Sequence, residues 1–234
     1  MGKGVALIIG ASGGIGSAVA DLVERGGRFS AVMRASRKPR NEADLQVDIT
    51  NQQSVAALAD TVAKQSEPLR LVFDATGYLH GDKGGPERSW SAMEPEALAH
   101  QFAINAIGPA LLMKHLLPLL SDTEKAVFAT LSAKVGSISD NRLGGWYGYR
   151  AAKAALNQLV RTAAIELARK NPHAICLALH PGTVETPLSA PFAKSGVRLQ
   201  TPVQSAAAML GVIDGASVEL TGQLVTYDGH IVPF

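Results

Sequence analysis

Apolar positions follow two alternating rhythms along the chain. Short runs, several of them apolar on consecutive residues, stand at Val5-Ile9, Phe29-Met33, Leu45-Val47, Leu69-Phe73, Ala126-Leu131, Ala174-Leu179 and Gln223-Thr226. That continuity suits parallel strands buried on both faces. Between them lie patterns of helical length, at Ile15-Arg25, Gln52-Lys64, Pro95-Leu119, Tyr147-Lys170 and Pro202-Ile213, the last opened by Thr201-Pro202 as an N-cap and first-turn pair. Strand and helix exchanged this often predict an α/β fold, a doubly wound parallel sheet of about seven strands with right-handed crossovers and flanking helices. No shift to linker-like composition divides the chain, so residues 1–234 read as one domain.

The first strand runs into Gly10-Ala11-Ser12-Gly13-Gly14-Ile15-Gly16, and a helix follows at once. Glycines there let the backbone turn sharply and approach a pyrophosphate, whose charge the helix N-terminus favours. The spacing Gly10-x3-Gly14-x-Gly16 departs from G-x-G-x-x-G, because Val19 stands where the last glycine would be. A dinucleotide site and a merely structural turn are both open. The end of the second strand, Val32-Met33-Arg34-Ala35-Ser36-Arg37-Lys38, carries no acid to accept the ribose 2′-hydroxyl of NAD(H). Arg34 or Arg37 could bond a 2′-phosphate through two parallel donors, which favours NADP(H); the alternative is an ordinary solvated basic turn. Asp48, in Val47-Asp48-Ile49-Thr50, is open to two roles, acceptor for the adenine amino group or acid at a helix N-terminus.

Composition removes other classes. A chain of 234 residues can bury one large core without staples. Its single cysteine, Cys176, sits in an apolar run and excludes both an intramolecular disulfide and a paired-thiolate zinc site, so a reducing, cytoplasmic setting is expected. With 22 Lys+Arg against 20 Asp+Glu, the net charge of +2 is too small and scattered for a nucleic-acid footprint or a polybasic membrane patch. The six histidines, at 80, 100, 115, 173, 180 and 230, show no metal-ligand spacing, and no metal is expected. The run after Lys3 is too short for a signal sequence. Phe102 to Leu120 is interrupted by Asn105, Pro109, Lys114 and His115, so no bilayer span is expected there. The serine-hydrolase elbow Gly-x-Ser-x-Gly is absent.

Two tyrosines compete in Trp146-Tyr147-Gly148-Tyr149-Arg150-Ala151-Ala152-Lys153. Residues four apart share a helix face, and only Tyr149 has a lysine at that distance. A phenol, with an ordinary pKa of about 10, needs a fixed cation to exchange protons near neutrality, and Lys153 would supply one by lowering that pKa. Such a pair could pass a proton to or from a carbonyl or alcohol oxygen.

Together these residues resemble the short-chain dehydrogenase/reductases, in particular their C-factor-like and carbonyl-reductase-like branch, over essentially the whole chain. The resemblance rests on Gly10-x3-Gly14-x-Gly16, Asp48, Asn105 in Ile104-Asn105-Ala106, Tyr149-x3-Lys153, Pro181-Gly182-Thr183-Val184 followed by Thr186, and the ending Tyr227 to Phe234. It implies a Rossmann fold and hydride transfer between NADP(H) and a small carbonyl or alcohol substrate, with Tyr149 moving the proton at the substrate oxygen. Lys153 would also bond the nicotinamide ribose, and Asn105 would hold a relay water. Pro181-Gly182 would turn under the nicotinamide, the Val184 backbone would meet the carboxamide, and Thr186 would lie near the phosphates. Ser12, Gly13, Ile15, Ile49, Ala75, Thr76 and Gly77 complete the implied cofactor contacts. A homodimer or homotetramer built through the helices at Pro95-Leu119 and Tyr147-Lys170 is also implied. So is a substrate lid near 186–200, whose Lys194 and Arg198 would suit an anionic substrate unless they are simply solvated.

Two departures stand out. The family usually has Asn-Asn-Ala-Gly after the fourth strand, where this chain reads Asp74-Ala75-Thr76-Gly77. The family's substrate-orienting serine stands three residues before a glycine, where Leu131-Ser132-Ala133-Lys134-Val135-Gly136 places Ala133. Ser132 is the nearest substitute, with Ser137 and Ser139 behind it. Neighbouring side chains on a strand point to opposite faces, so Ser132 serves only if the strand end is irregular; otherwise it is a serine bonded to backbone. A decayed, cofactor-binding signalling protein is therefore the alternative to an active enzyme.

Overall fold

The chain is described by a computed structural model at residues 4–192 and 199–234. It runs β1 (Val5–Ile9), α1 (Gly14–Gly26), β2 (Ala31–Ser36), β3 (Leu45–Gln46), α2 (Gln52–Ala63), β4 (Leu69–Asp74), α3 (Pro95–Phe102), α4 (Gly108–Leu116), β5 (Ala126–Leu131), α5 (Tyr147–Lys170), β6 (Ala174–His180), α6 (Pro202–Gly215), β7 (Leu224–Thr226) and β8 (Ile231–Val232). These strands form one sheet in the order β3-β2-β1-β4-β5-β6-β7-β8, parallel but for the last pair. From β1 the chain first builds outward to β2 and β3, then crosses to β4 on the other side. The reversal opens a crevice at the carboxyl ends of β1 and β4, where α/β sheets bind ligands.

Alternation along the buried strands divides the core into two layers. Leu7, Phe128, Cys176 and their neighbours pack with Leu112 of α4 and Leu156 of α5. Ile8, Phe73 and Leu177 face the other way, onto Val19 of α1 and Met209 of α6. Burial pushes the Cys176 thiol up to about 12, so it is an inert core residue. The α6 start carries the expected Thr201 cap and a reciprocal bond besides: the Thr201 hydroxyl accepts from Gln204 N–H at 3.2 Å, and the Gln204 side-chain Oε1 accepts from Thr201 N–H at 3.0 Å.

Three elements differ from the sequence pattern. β2 begins at Ala31 rather than Phe29 and runs through Arg34 to Ser36, because its ladder with β1 pairs Ile8 with Arg34 and Ile9 with Ala35. The expected helix Pro95-Leu119 is broken by a wider π turn at Ala103–Ile107, where Gly108 N–H bonds the Ala103 carbonyl five residues back. By length and composition the helical run Pro95–Leu119 could cross a membrane, contrary to expectation; here it is a flank of the sheet, with Leu112 and Leu116 fully buried in the core. The eighth strand went unforeseen, since two residues are too few to show a period.

The start of α5 is held from a distance. Trp146 lies just before it in the left-handed region, φ 55°, a conformation rare for a bulky residue. α5 has no side-chain cap of its own. Glu87, buried, supplies one: its carboxylate accepts from Gly148 N–H at 3.1 Å and its backbone carbonyl from Trp146 N–H at 2.6 Å.

Candidate active site

At the crevice the chain turns through Gly10, whose φ of +77° and close approach to Ala75 leave no room for a side chain; a Cβ would lie 2.9 Å from the Ala75 carbonyl carbon. At Gly16 a Cβ would come within 2.3 Å of the Gly10 carbonyl oxygen, so α1 can follow the turn this closely only with glycine there. Gly14 faces the far segment, its missing Cβ 3.2 Å from the Thr186 methyl. Along this turn runs a groove of about 440 Å³ lined by Gly10, Ser12, Gly13, Ser36, Arg37, Asp48, Ile49, Ala75, Thr76 and Gly77, among others. The cradle and its length fit a dinucleotide.

The basic residues at its end sort differently from expectation. Arg34 is not at the groove: its guanidinium donates to Asp21 at 2.7 Å and to both Glu24 oxygens at 2.9 and 2.8 Å on α1. Three fixed acceptors and a mid-strand position account for this. Arg37 does line the groove. Arg40, which the spacing did not single out, donates to the Ser12 carbonyl at 2.5 Å and so reaches the glycine turn. Of the two roles open to Asp48, the cap belongs instead to Asn51, which accepts from Ser54 N–H at 3.0 Å. The Asp48 carboxylate accepts from Thr50 N–H and hydroxyl at 2.9 and 2.7 Å. Those bonds, with Arg37 nearby, hold it below the usual carboxylate range, an ionised acceptor on the groove wall.

A second groove, about 290 Å³, opens around Tyr149. Pro181, Gly182, Thr183, Val184 and Thr186 form one side, and Leu79, Ala133, Val135, Trp146, Leu188 and Phe192 much of the rest. Trp146 packs edge-on against both Tyr149 and Phe192, with ring centroids 6.1 and 5.3 Å apart. Behind Tyr149, buried Lys153 donates to the Leu131 carbonyl at 2.8 Å and lies 5.8 Å from the phenol ring centroid. Burial pushes the Tyr149 phenol up to about 12 and draws the Lys153 ammonium down to about 8. The expected lowering of the phenol by Lys153 is therefore outweighed by loss of hydration.

Asn105 lies in the π turn, fully buried, with Oδ1 accepting from Tyr78 N–H at 3.0 Å and Nδ2 donating to Tyr78 O and Gln101 Oε1, each at 2.7 Å. A Cβ on Gly77 would lie 3.5 Å from its Oδ1 and 3.9 Å from Lys153 Nζ, so Gly77, Asn105 and Lys153 meet at one point.

Ser132, the expected substitute for the missing serine, is committed to a partner on α5. Ala133 stays extended, at φ −148° and ψ 144°, so the strand's alternation continues and turns Ser132 toward α5. Its hydroxyl donates to Asn157 Oδ1 at 2.6 Å, although Ser132 still touches the groove. Ser137 and Ser139 bond the backbone carbonyls of Pro233 and Phe234. In the lid segment, Lys194 and Arg198 lie outside the described residues.

Comparison with known proteins places this geometry. The family described as short chain dehydrogenase matches residues 4–195. The chain belongs to that family.

Short-chain dehydrogenases are oxidoreductases that use a nicotinamide cofactor, and the glycine cradle is the feature here that suits one. Among relatives, the chain is 33% identical over 183 residues to a 1-hydroxy-2-glutathionyl-2-methyl-3-butene dehydrogenase of Rhodococcus sp., covering 78% of this chain and 76% of that one. It is 36% identical over 137 residues to the C-signal of Myxococcus xanthus, covering 58% and 78%. Its fold matches the carbonyl reductase Sniffer of D. melanogaster with a TM-score of 0.86 at 22% identity, over 100% of both chains. An NADPH-bound carbonyl reductase from chicken fatty liver matches at 0.82 and 23% identity, over 99% of both. At such identities the likeness is one of fold. Sequence reasoning about this short-chain dehydrogenase missed Arg40, Glu87 and Trp146. Arg40 is the last of three cations just after β2, with Arg37 and Lys38, a signal present but not read. The others reach the site only through tertiary packing.

Proposed function

We propose that this short-chain dehydrogenase is an NADP(H)-dependent reductase of uncharged carbonyl compounds, with Tyr149 as proton donor. The observation that carries the reading is the placement of Tyr149 on the second groove with Lys153 locked behind it. When bound, the reduced nicotinamide supplies hydride to the carbonyl carbon. With its pKa near 12, Tyr149 keeps its proton at neutral pH and gives it up only as negative charge develops on the substrate oxygen, leaving an alcohol. Lys153, still charged below about pH 8, faces the ring that becomes phenolate and lowers the cost of that transfer. Arg37 and Arg40 at the far end of the first groove suit a 2′-phosphate. The NADPH-bound carbonyl reductase of the same fold supports that preference. Among the described residues that line the second groove none carries a charged side chain, which supports an uncharged, apolar or aromatic substrate over an anionic one.

NADPH titration followed by turnover on a panel of aldehydes, ketones and quinones tests this, comparing the parent with Tyr149→Phe. The expected result is turnover on at least one class, kcat lower by roughly 10²–10⁴-fold in the variant, and an unchanged NADPH Kd. Tight NADPH binding with no turnover and no effect of the substitution would overturn it. Ala133 favours a second reading, a weakly active signalling protein, because it brings a methyl group to the groove where the family has a serine hydroxyl, and the neighbouring Ser132 hydroxyl donates to Asn157. That outcome would show as NADPH binding alone. A cytoplasmic homodimer or homotetramer, joined through α4 and α5, completes the proposal.

A further inference from the structure

β4 ends on an acid that is completely buried. Asp74 Oδ1 accepts from Thr76 N–H at 3.0 Å and from the Thr76 hydroxyl at 2.6 Å, while Oδ2 accepts from the Thr130 hydroxyl at 2.7 Å. Three donors at one carboxyl group favour its ionised, accepting form. Asp74 and Thr130 are register partners on β4 and β5. The next residue along β5, Leu131, gives its carbonyl to Lys153 Nζ. Carboxylate and ammonium are thus anchored to consecutive residues of one strand, in a place that water does not reach. A lone buried charge is costly, so a charge kept here needs a partner.

We propose that Asp74 is a positioning residue that acts through Lys153: its clamped carboxylate is the counter-charge that keeps the lysine an ammonium behind Tyr149. The other groups facing Lys153 among the described residues are the Tyr149 phenol on the same helix, the neutral Asn105 amide and the Leu131 carbonyl. Only Asp74 opposes the loss of hydration that draws the ammonium down to about 8. The same loss of hydration is the larger effect on Asp74 and raises its carboxyl above the usual carboxylate range, against the pull of its three donors and of Lys153. An amide in its place would keep the hydrogen bonds, since Asn can accept at Oδ1 and donate at Nδ2 to Thr130, while removing the charge.

Lysine 13Cε NMR titration of the protein without substrate reads the Lys153 midpoint directly, with Lys153→Met assigning the signal. The parent is expected to titrate near pH 8, and Asp74→Asn lower by about one pH unit or more. Folding stability should follow the same proton. Lys153 drops from its ordinary 10.5 to about 8 in the folded chain, so its own contribution to parental stability is constant below pH 8 and grows between 8 and 10.5; it is read as the difference from Lys153→Met, because buried Cys176 and Tyr149 act in the opposite sense above about pH 9. In Asp74→Asn the rise should begin at correspondingly lower pH. This inference rests on Lys153 working beside Tyr149, yet both readouts are free of turnover, so its failure is distinguishable from failure of the proposed activity. Where activity is found, the alkaline limb of kcat/KM should move acidward in Asp74→Asn, and the same change added to Lys153→Met should leave the profile unaltered. Should Asp74→Asn not fold, Thr130→Val, which removes one donor, should move the midpoint the same way by less. An unchanged Lys153 midpoint in the folded variant would overturn the proposal and leave Asp74 a merely structural acceptor.

Discussion

Around Gly10 the first groove is shaped by side chains that are missing, whereas the groove around Tyr149 is shaped by side chains already committed to one another. In the first, backbone approaches backbone at Gly10 and Gly16, and a ligand would meet N–H groups with few competitors. In the second, Lys153, Asn105, Ser132 and Asp74 each spend their polar atoms on the protein, leaving the Tyr149 phenol facing a largely apolar wall. The cofactor side therefore depends on steric room, and the chemical side on charge held out of water.

The sharpest way to break this contrast is Gly16→Ala. A methyl 2.3 Å from a backbone oxygen cannot be absorbed by a rotamer change, so stability should fall by roughly 3 kcal/mol and NADPH affinity by about 100-fold. Urea unfolding and cofactor fluorescence titration read the two effects. Next in size, Arg37→Ala with Arg40→Ala should weaken NADPH by about 10–100-fold while leaving NADH unchanged. Arg34→Ala, by contrast, should leave the NADPH/NADH ratio untouched because its partners are Asp21 and Glu24; equal loss of preference in both variants would refute this assignment. On the chemical side, Ala133→Ser should raise kcat about tenfold at constant NADPH Kd by supplying a donor at the substrate oxygen. A steady-state comparison on one substrate checks it. The smallest effect is expected from Glu87→Ala, a loss of about 1–2 kcal/mol from uncapping α5, seen as a lower Tm with little change in NADPH affinity.

The same contrast explains what could be read from the chain. Glycine spacing is a local property, so the turn at Gly10 and the strand before it were legible, as was the Tyr149-Lys153 pair on one helical face. Arg34 and Arg37 look alike in sequence; only the β1–β2 register, which puts Arg34 opposite Ile8, turns one toward α1 and leaves the other at the groove. Ser132 shows the reverse case. Strand alternation already argued against it, and the extended backbone through Ala133 upholds that argument. The π turn at Asn105 had no signature, because one inserted residue does not disturb an apolar pattern enough to see. Glu87 could not be found either, as it lies 61 residues from the N–H it caps.

Both margins of the sheet are two-residue strands, β3 on one side and β8, running backwards, on the other. A margin that short offers too few free N–H and C=O groups to template an added strand. Neither margin strand by itself invites growth of the sheet from chain to chain, whether by exchange of elements or by fibril-like stacking.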